Sequence, residues 1–339
     1  MMGQSNMLGE GEIIGPKTKN NTLEAAVFVQ GKFPWLKNGK TWSIFPDMRN
    51  VFIMGSGNAT FNHSVLQHNE WLTPDYGYGF TDGGRHSTIG PEFGIANFGG
   101  SFKQDNVMLL KSCIGDRALG WDLLPPGTPR HDFTDSRGNT WTYAGYKDSP
   151  EKWIKNETKP PAMNWYAGEQ WDGDTANAQY ILDHFPGFFP RAGGGATKYE
   201  IAGFFWWQGD KDSRDEGLSA AYEANLVNFI NVVRKTFNAP NAPFVTASLG
   251  QTPFNSTSND GKILEAMLNV GCNGETNGAP TNCKYPEFKG NVAAVYTHPL
   301  LNTPGSSGAH YGGDAITYMN IGVAMGTEMA KMKSAAAQS

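Results

Sequence analysis

Cysteine is scarce in this chain. Three cysteines in 339 residues are too few to staple a small disulfide scaffold. Cys272 and Cys283 bracket a loop rich in glycine and asparagine and could pair in an oxidising compartment. Cys113 would then remain as a small buried hydrophobe. No run of 18 apolar residues exists, which excludes a membrane-spanning helix. There is no basic tract, and the formal net charge is −5, so nucleic acid is not an expected partner. Charged residues are only 17% against 39% apolar, which excludes a disordered chain. No His-Glu-x-x-His or other compact ligand spacing occurs, and neither a metal nor an organic cofactor is expected. No tandem repeat is evident. No signal peptide is visible, and only two residues precede Gly3, where a first strand normally needs about five. A natural leader is therefore expected to be missing, and secretion or periplasmic residence is the expected location.

The chain is instead rich in glycine (42), phenylalanine (20) and tryptophan (10), a composition of long loops with aromatic surfaces. Its length suits one large domain with a substantial core, expected over 1–333 with a disordered tail at 334–339. Residues 12–88 and 121–198 read as irregular insertions. From Gly90 onward, strand and helix patterns alternate. Gly90-Pro91-Glu92 opens a short helix through Ala96, with proline where its fixed φ and missing N–H cost nothing. Strands are expected at 106–111, 201–207, 244–248 and 292–297. Leu218, Ala221, Tyr222, Leu226, Phe229, Ile230, Val233 and Phe237 recur at helical spacing, and helices are also expected at 176–185, 263–270 and 315–333. This alternation predicts a three-layer α/β fold around a mostly parallel sheet, in which ligands bind beyond the carboxyl ends of the strands.

Three polar segments follow strand-like stretches closely, as a shared active site requires: Ser5, the turn at 208–212 and the loop at 304–314. Ser5 lies in Gly3-Gln4-Ser5-Asn6-Met7, a setting for a nucleophile on a strand-to-loop turn, although a glycine-flanked serine can equally cap backbone or face water. A serine hydroxyl needs a base. His310, on a glycine-rich loop before the last helix, suits proton transfer. His298, followed by Pro299, is a weaker rival that more simply packs locally. His63, His68 and His86 lie in the first insertion, and His131 and His184 lack supporting context. Gln208 ends the aromatic strand and offers a neutral side-chain donor to an oxyanion, or merely caps a backbone group. Gly90 and the Ser5 amide add backbone donors.

These blocks resemble the sialate-O-acetylesterase-like carbohydrate acetylesterases of the SGNH hydrolase superfamily. Gly3-Gln4-Ser5-Asn6-Met7 is similar to the first block of that group and Ile89-Gly90-Pro91-Glu92 to the second. Trp207-Gln208-Gly209-Asp210-Lys211-Asp212 resembles the third, commonly Gln-Gly-Glu-x-Asp. The last block, usually Asp-x-x-His, reads Ser307-Gly308-Ala309-His310. The resemblance implies a flavodoxin-like α/β/α hydrolase fold with Ser5 as nucleophile, His310 as base, and Ser5, Gly90 and Gln208 as the oxyanion hole. Because Ser307 cannot carry the acid's charge, either a Ser–His dyad operates or another carboxylate substitutes. Asp212 is the preferred candidate, then Asp210; Asp314 is a further alternative that could instead cap the last helix.

The implied reaction is two-step acyl transfer from an acetylated oligo- or polysaccharide, without metal or cofactor. Trp35, Trp42, Trp71, Tyr76, Tyr78, Trp141, Trp153, Trp165 and Trp171 could line a sugar cleft, or simply form small cores within the long loops. Two rivals remain open. A short-chain lipase or arylesterase would use the same serine with an apolar acyl pocket. A non-catalytic carbohydrate-binding protein would account for the missing aspartate.

Overall fold

A strand alternates its side chains between two faces, and here both faces are apolar. The structure, a computed structural model, describes residues 1–54, 60–76, 88–99, 106–190, 197–303 and 309–336. Seven strands form the central sheet: β1 (Met2–Gly3), β2 (Phe45–Ile53), β3 (Leu66–Leu72), β4 (Val107–Cys113), β5 (Phe204–Trp207), β6 (Phe244–Ala247) and β7 (Val292–Val295). Their spatial order is β7-β6-β5-β1-β4-β2-β3. Every neighbouring pair is parallel except β2 with the edge strand β3.

The six longer or functionally placed helices are α1 (Ser5–Leu8), α2 (Glu92–Gly99), α3 (Glu169–Asp183), α4 (Glu216–Thr236), α5 (Asn259–Val270) and α6 (Ala315–Ala336). On one face of the sheet Trp207, Val245, Ala293 and Val295 pack with Phe93 of α2 and Tyr318 and Met319 of α6. On the other, Trp206, Phe244 and Val292 pack with Trp171 of α3, Phe229 of α4 and Ile263 of α5. This is the expected α/β/α sandwich. Asp215 caps α4 by accepting from the Gly217 and Leu218 amides, and Arg234 and Lys235 sit in its last turn, where the helix dipole favours positive charge.

Three features depart from the sequence reading. The first insertion supplies two sheet strands. β2 was hidden by Arg49 and Asn50, which are buried because partners await them: Arg49 Nε donates to Asn69 Oδ1 at 3.0 Å and to Phe188 O at 3.1 Å, and Asn50 Nδ2 to Glu70 Oε1 at 3.0 Å. The second insertion holds a three-stranded antiparallel sheet, His131–Thr134, Thr140–Tyr143 and Lys152–Ile154, while the helix expected at 176–185 is present as α3 but starts earlier, at Glu169. Finally, α6 continues to Ala336, into the stretch expected as a tail. Cys272 and Cys283 are disulfide-bonded with Cα atoms 4.4 Å apart, and Cys113 is a buried free thiol.

Although only two residues long, β1 occupies the centre of the sheet. Met2 and Gly3 pair with Trp206 and Trp207 on one side and with Ser112 and Cys113 on the other. Gly3 has φ 153°, and a Cβ there would collide with the Trp207 carbonyl oxygen. Gly3→Ala must therefore push β1 away from β5. We expect it to cost at least ~2 kcal/mol, read as a lowered melting temperature or loss of soluble protein; a variant that melts with the wild type would refute this role.

Candidate active site

Ser5 is delivered by the end of β1. Gln4 is extended (φ −116°, ψ −152°) and Ser5 begins α1. Ser5 is 7% exposed, and among the described residues its hydroxyl has no hydrogen-bond partner. Its amide stands in the first turn of α1, where N–H groups lack intrahelical acceptors. The loop after β4, on the neighbouring strand, closes on Ser5: a Cβ built on Gly115 would lie 3.6 Å from Ser5 Cβ. Gly115 was not anticipated. The signal for it was topological, since it follows the carboxyl end of a parallel strand adjacent to β1.

Beneath Ser5 lies a knot of buried amides. Gln4 Oε1 accepts from Gln208 Nε2 (3.2 Å), Gly209 N (3.3 Å) and Lys211 N (3.2 Å). Gln208 Nε2 also donates to Arg117 O (2.9 Å) and Asp212 Oδ2 (2.6 Å), while Gln208 Oε1 accepts from Tyr222 (2.9 Å). Gln208 is fully buried, and its amide joins three loops. Asp212, also fully buried, accepts from Leu119 N (2.8 Å) and Gly120 N (2.9 Å) besides Gln208. Those donors fill its oxygens, and none of them is His310. Burial pushes the Asp212 carboxyl up to about 7, against the pull of the Gly120, Gln208 and Leu119 donors.

His310 is half-buried and lies in a left-handed turn: His310, Tyr311, Gly312 and Gly313 have φ of 53°, 55°, 63° and 75°. For the two non-glycine residues this conformation costs roughly 1 kcal/mol each or more, so something must hold it. Tyr311 does. Its ring stacks on Trp207 with centroids 6.0 Å apart, and its hydroxyl accepts from Asn6 Nδ2 and Gly250 N, both at 3.1 Å. The residue after the candidate nucleophile is thus bonded to the residue after the candidate base.

The remaining candidates are engaged elsewhere. Gly90 lies against the last residues of α1, near the Met7 and Leu8 carbonyls, and its N–H donates to Glu92 Oε1 at 3.0 Å. Glu92 Oε2 in turn receives buried Lys111 at 3.2 Å. Asp210 pairs with Arg214. Asp314 caps α6, accepting from Thr317 N (3.1 Å) and Asn302 Nδ2 (3.0 Å). His298 packs locally, Nδ1 lying 2.7 Å from Gly250 O. Ser307, His86 and Tyr78 lie outside the described residues. Four of the insertion aromatics pack against other rings: Trp42 against Phe28, Trp35 against Phe33, Trp71 against Phe189, and Trp171 against Phe229. Trp165 differs, because it stacks at 4.6 Å on Arg117, in the loop that adjoins Ser5.

Residues 185–279 match the family model for carbohydrate esterase, sialic acid-specific acetylesterase. Those residues are less than a third of the chain, and over them it is similar to that family. The SASA-like match includes Gln208 and Asp212, while Ser5 and His310 lie outside it. An X-ray structure of a protein from Arabidopsis thaliana shares the fold, with 14% identity, TM-score 0.53, and coverage of 97% of this chain and 95% of that one. A carbohydrate acetylesterase from Xanthomonas citri aligns with 12% identity and TM-score 0.42 over 78% of this chain and 45% of its own. No curated protein sequence matches the chain. The general activity this match supports is ester hydrolysis related to that of carbohydrate acetylesterases. Among the described residues, no helix is long and apolar enough to cross a membrane.

Two outcomes follow from the hydrogen bonds. Tyr311→Phe leaves the Asn6 and Gly250 donors without their acceptor, which should cost about 1–3 kcal/mol and lower ester hydrolysis more than it lowers the melting temperature; full activity on short-chain esters would refute the coupling. For Asp212, the folded carboxyl holds its proton up to about pH 7, whereas an unfolded aspartate releases it near pH 4. The folded state therefore binds the extra proton between those values, and stability from this group falls as pH rises through that window. The melting temperature of wild type minus that of Asp212→Asn should accordingly fall from pH 5 to pH 8. A difference that is flat or grows with pH would contradict the raised pKa.

Proposed function

We propose that this protein is a serine esterase that removes O-acetyl groups from carbohydrate by acyl-enzyme hydrolysis. The observation that carries the reading is the unpartnered Ser5 hydroxyl at the end of the central strand, tied through Asn6 and Tyr311 to the turn bearing His310. His310 takes the Ser5 proton as Oγ attacks the acetyl carbonyl. The Ser5 amide, with the Gly115 backbone beside it, receives the oxyanion. Collapse of the tetrahedral adduct breaks the ester C–O bond, and His310 returns the proton to the departing sugar oxygen. Water then attacks the acetyl-enzyme with the same roles reversed, releasing acetate. Gly90 and Gln208 would have to exchange a present partner to join the hole. Asp212 supports the site by holding Gln208 and the 119–120 backbone.

Trp165, stacked on Arg117 beside the Ser5 loop, supports a sugar as the leaving group. A long acyl chain finds less support. One largely apolar cavity of about 620 Å³, among the described residues, is lined by Met1, Met2, Val107 and Phe204 toward the amino ends of the strands, away from Ser5. The Cys272–Cys283 disulfide supports residence in an oxidising compartment.

Ser5→Ala, assayed on nitrophenyl acetate and acetylated oligosaccharides, is expected to lower kcat by about 10³-fold or more with an unchanged melting temperature. Retained turnover in the folded variant would rule out the serine mechanism. Turnover of nitrophenyl acetate alone would keep the esterase and remove the carbohydrate.

A further inference from the structure

We propose that the loop closed by the Cys272–Cys283 disulfide is a redox-sensitive cover over the open edge of the central sheet, and that reducing it frees this edge to pair with a second copy of the chain. Among the described residues β7 is the last strand of the sheet, with β6 on one side only. Toward β6 its polar groups are used, as where Val295 O accepts from Ser248 N at 3.0 Å. On the other side Val292, Ala294 and Tyr296 face the loop instead of a strand. Cys272 N donates to Val292 O at 2.9 Å. Asn273 treats Ala294 as a neighbouring strand would: its Nδ2 donates to the Ala294 carbonyl at 3.0 Å, and its Oδ1 accepts from the Ala294 amide at 3.1 Å. At Tyr296 the amide donates to Thr276 Oγ1 at 3.1 Å, and the carbonyl accepts from Asn277 Nδ2 at 2.7 Å.

An open edge is a template for another chain, and is ordinarily blunted by charge, proline or a bulge. Val292-Ala293-Ala294-Val295-Tyr296 has no charge and no proline, and β7 keeps regular register with β6. The loop takes over that protection. Its neck is held by the disulfide, by Cys283 N on Gly271 O at 3.0 Å and by Thr281 N on Gly274 O at 2.6 Å. Its tip is a hairpin of Glu275–Thr276 with Ala279–Pro280, which seats Ala279 among Leu264, Leu268 and Tyr296. Both cysteines are half-buried, so a small dithiol reaches them. Its thiolate attacks one sulfur, the Sγ–Sγ bond breaks, and the other cysteine leaves as thiolate. The dithiol then closes on itself, displaces the first cysteine and is oxidised to a cyclic disulfide. A few hydrogen bonds and one buried alanine remain to hold the tip, and the loop opens locally. Two uncovered copies related by a two-fold axis present the same edge to each other, antiparallel, with amides facing carbonyls.

The test joins amide hydrogen exchange to sedimentation, on the whole chain kept in dithiothreitol so that no intermolecular disulfide forms. In dilute reduced protein the Ala294 and Tyr296 amides are expected to exchange about tenfold or more faster than in the oxidised protein, with the amides of β5 unchanged. At higher concentration the reduced chain should sediment as a dimer, and the same two amides should slow again as the second strand takes them. The double variant Cys272→Ser/Cys283→Ser should reproduce both effects without reductant; should it fail to fold, the reduced wild type decides. Asn273→Ala, with the disulfide intact, should speed exchange at Ala294 and leave Tyr296 protected. Ala294 and Tyr296 amides that stay protected after reduction overturn the cover, as does an acceleration shared equally by β5. A reduced chain that stays monomeric with those amides open overturns the pairing.

Discussion

The active-site geometry depends on the two-residue strand β1 being held between β4 and β5. The backbone contact of Gly3 with Trp207 allows no side chain, and it sets where α1 starts. Because all three strands run parallel, their carboxyl ends open on one edge of the sheet. The loops leaving those ends bring Ser5, Gly115 and the Gln208–Asp212 turn together. A slip of one residue at β1 would reverse which face each of its side chains addresses, and would move Ser5 off this edge.

Binding between these loops is polar and buried, a choice with consequences. Gln4, Gln208, Asp212 and Tyr222 satisfy one another and the backbone of two loops. Such a network rigidifies when complete and is costly when any member is lost. Among the described residues, it leaves the Ser5 hydroxyl as an unengaged polar group beside these four side chains. The left-handed turn at His310 follows the same pattern. Its strain is offset by the stacking of Tyr311 on Trp207 and the two hydrogen bonds to its hydroxyl.

Motif resemblance singled out Ser5, Gln208 and His310, and the structure shows what several of their neighbours bond to. Asp212 was expected to orient the imidazole because it adjoins Gln208 in sequence. In space its oxygens face the amides at 119 and 120, which are distant in sequence. Gly90 was expected beside the oxyanion. Its amide is held by Glu92 two residues on, and Gly115 occupies the position next to Ser5 instead. Neither exchange had a local sequence signal, since both depend on which loops the sheet order makes adjacent.

The sequence by itself determined the layered α/β class and the core face of α4, because hydrophobic period is a local property. It also marked Asp314 as a helix cap. What only the tertiary structure decided was partnership. Arg49 and Asn50 could enter a sheet strand because Asn69, Phe188 and Glu70 were there to receive them. Tyr311 could bind Asn6 across 305 residues of chain. Such pairings are settled by strand order and loop closure, to which no window of the sequence has access.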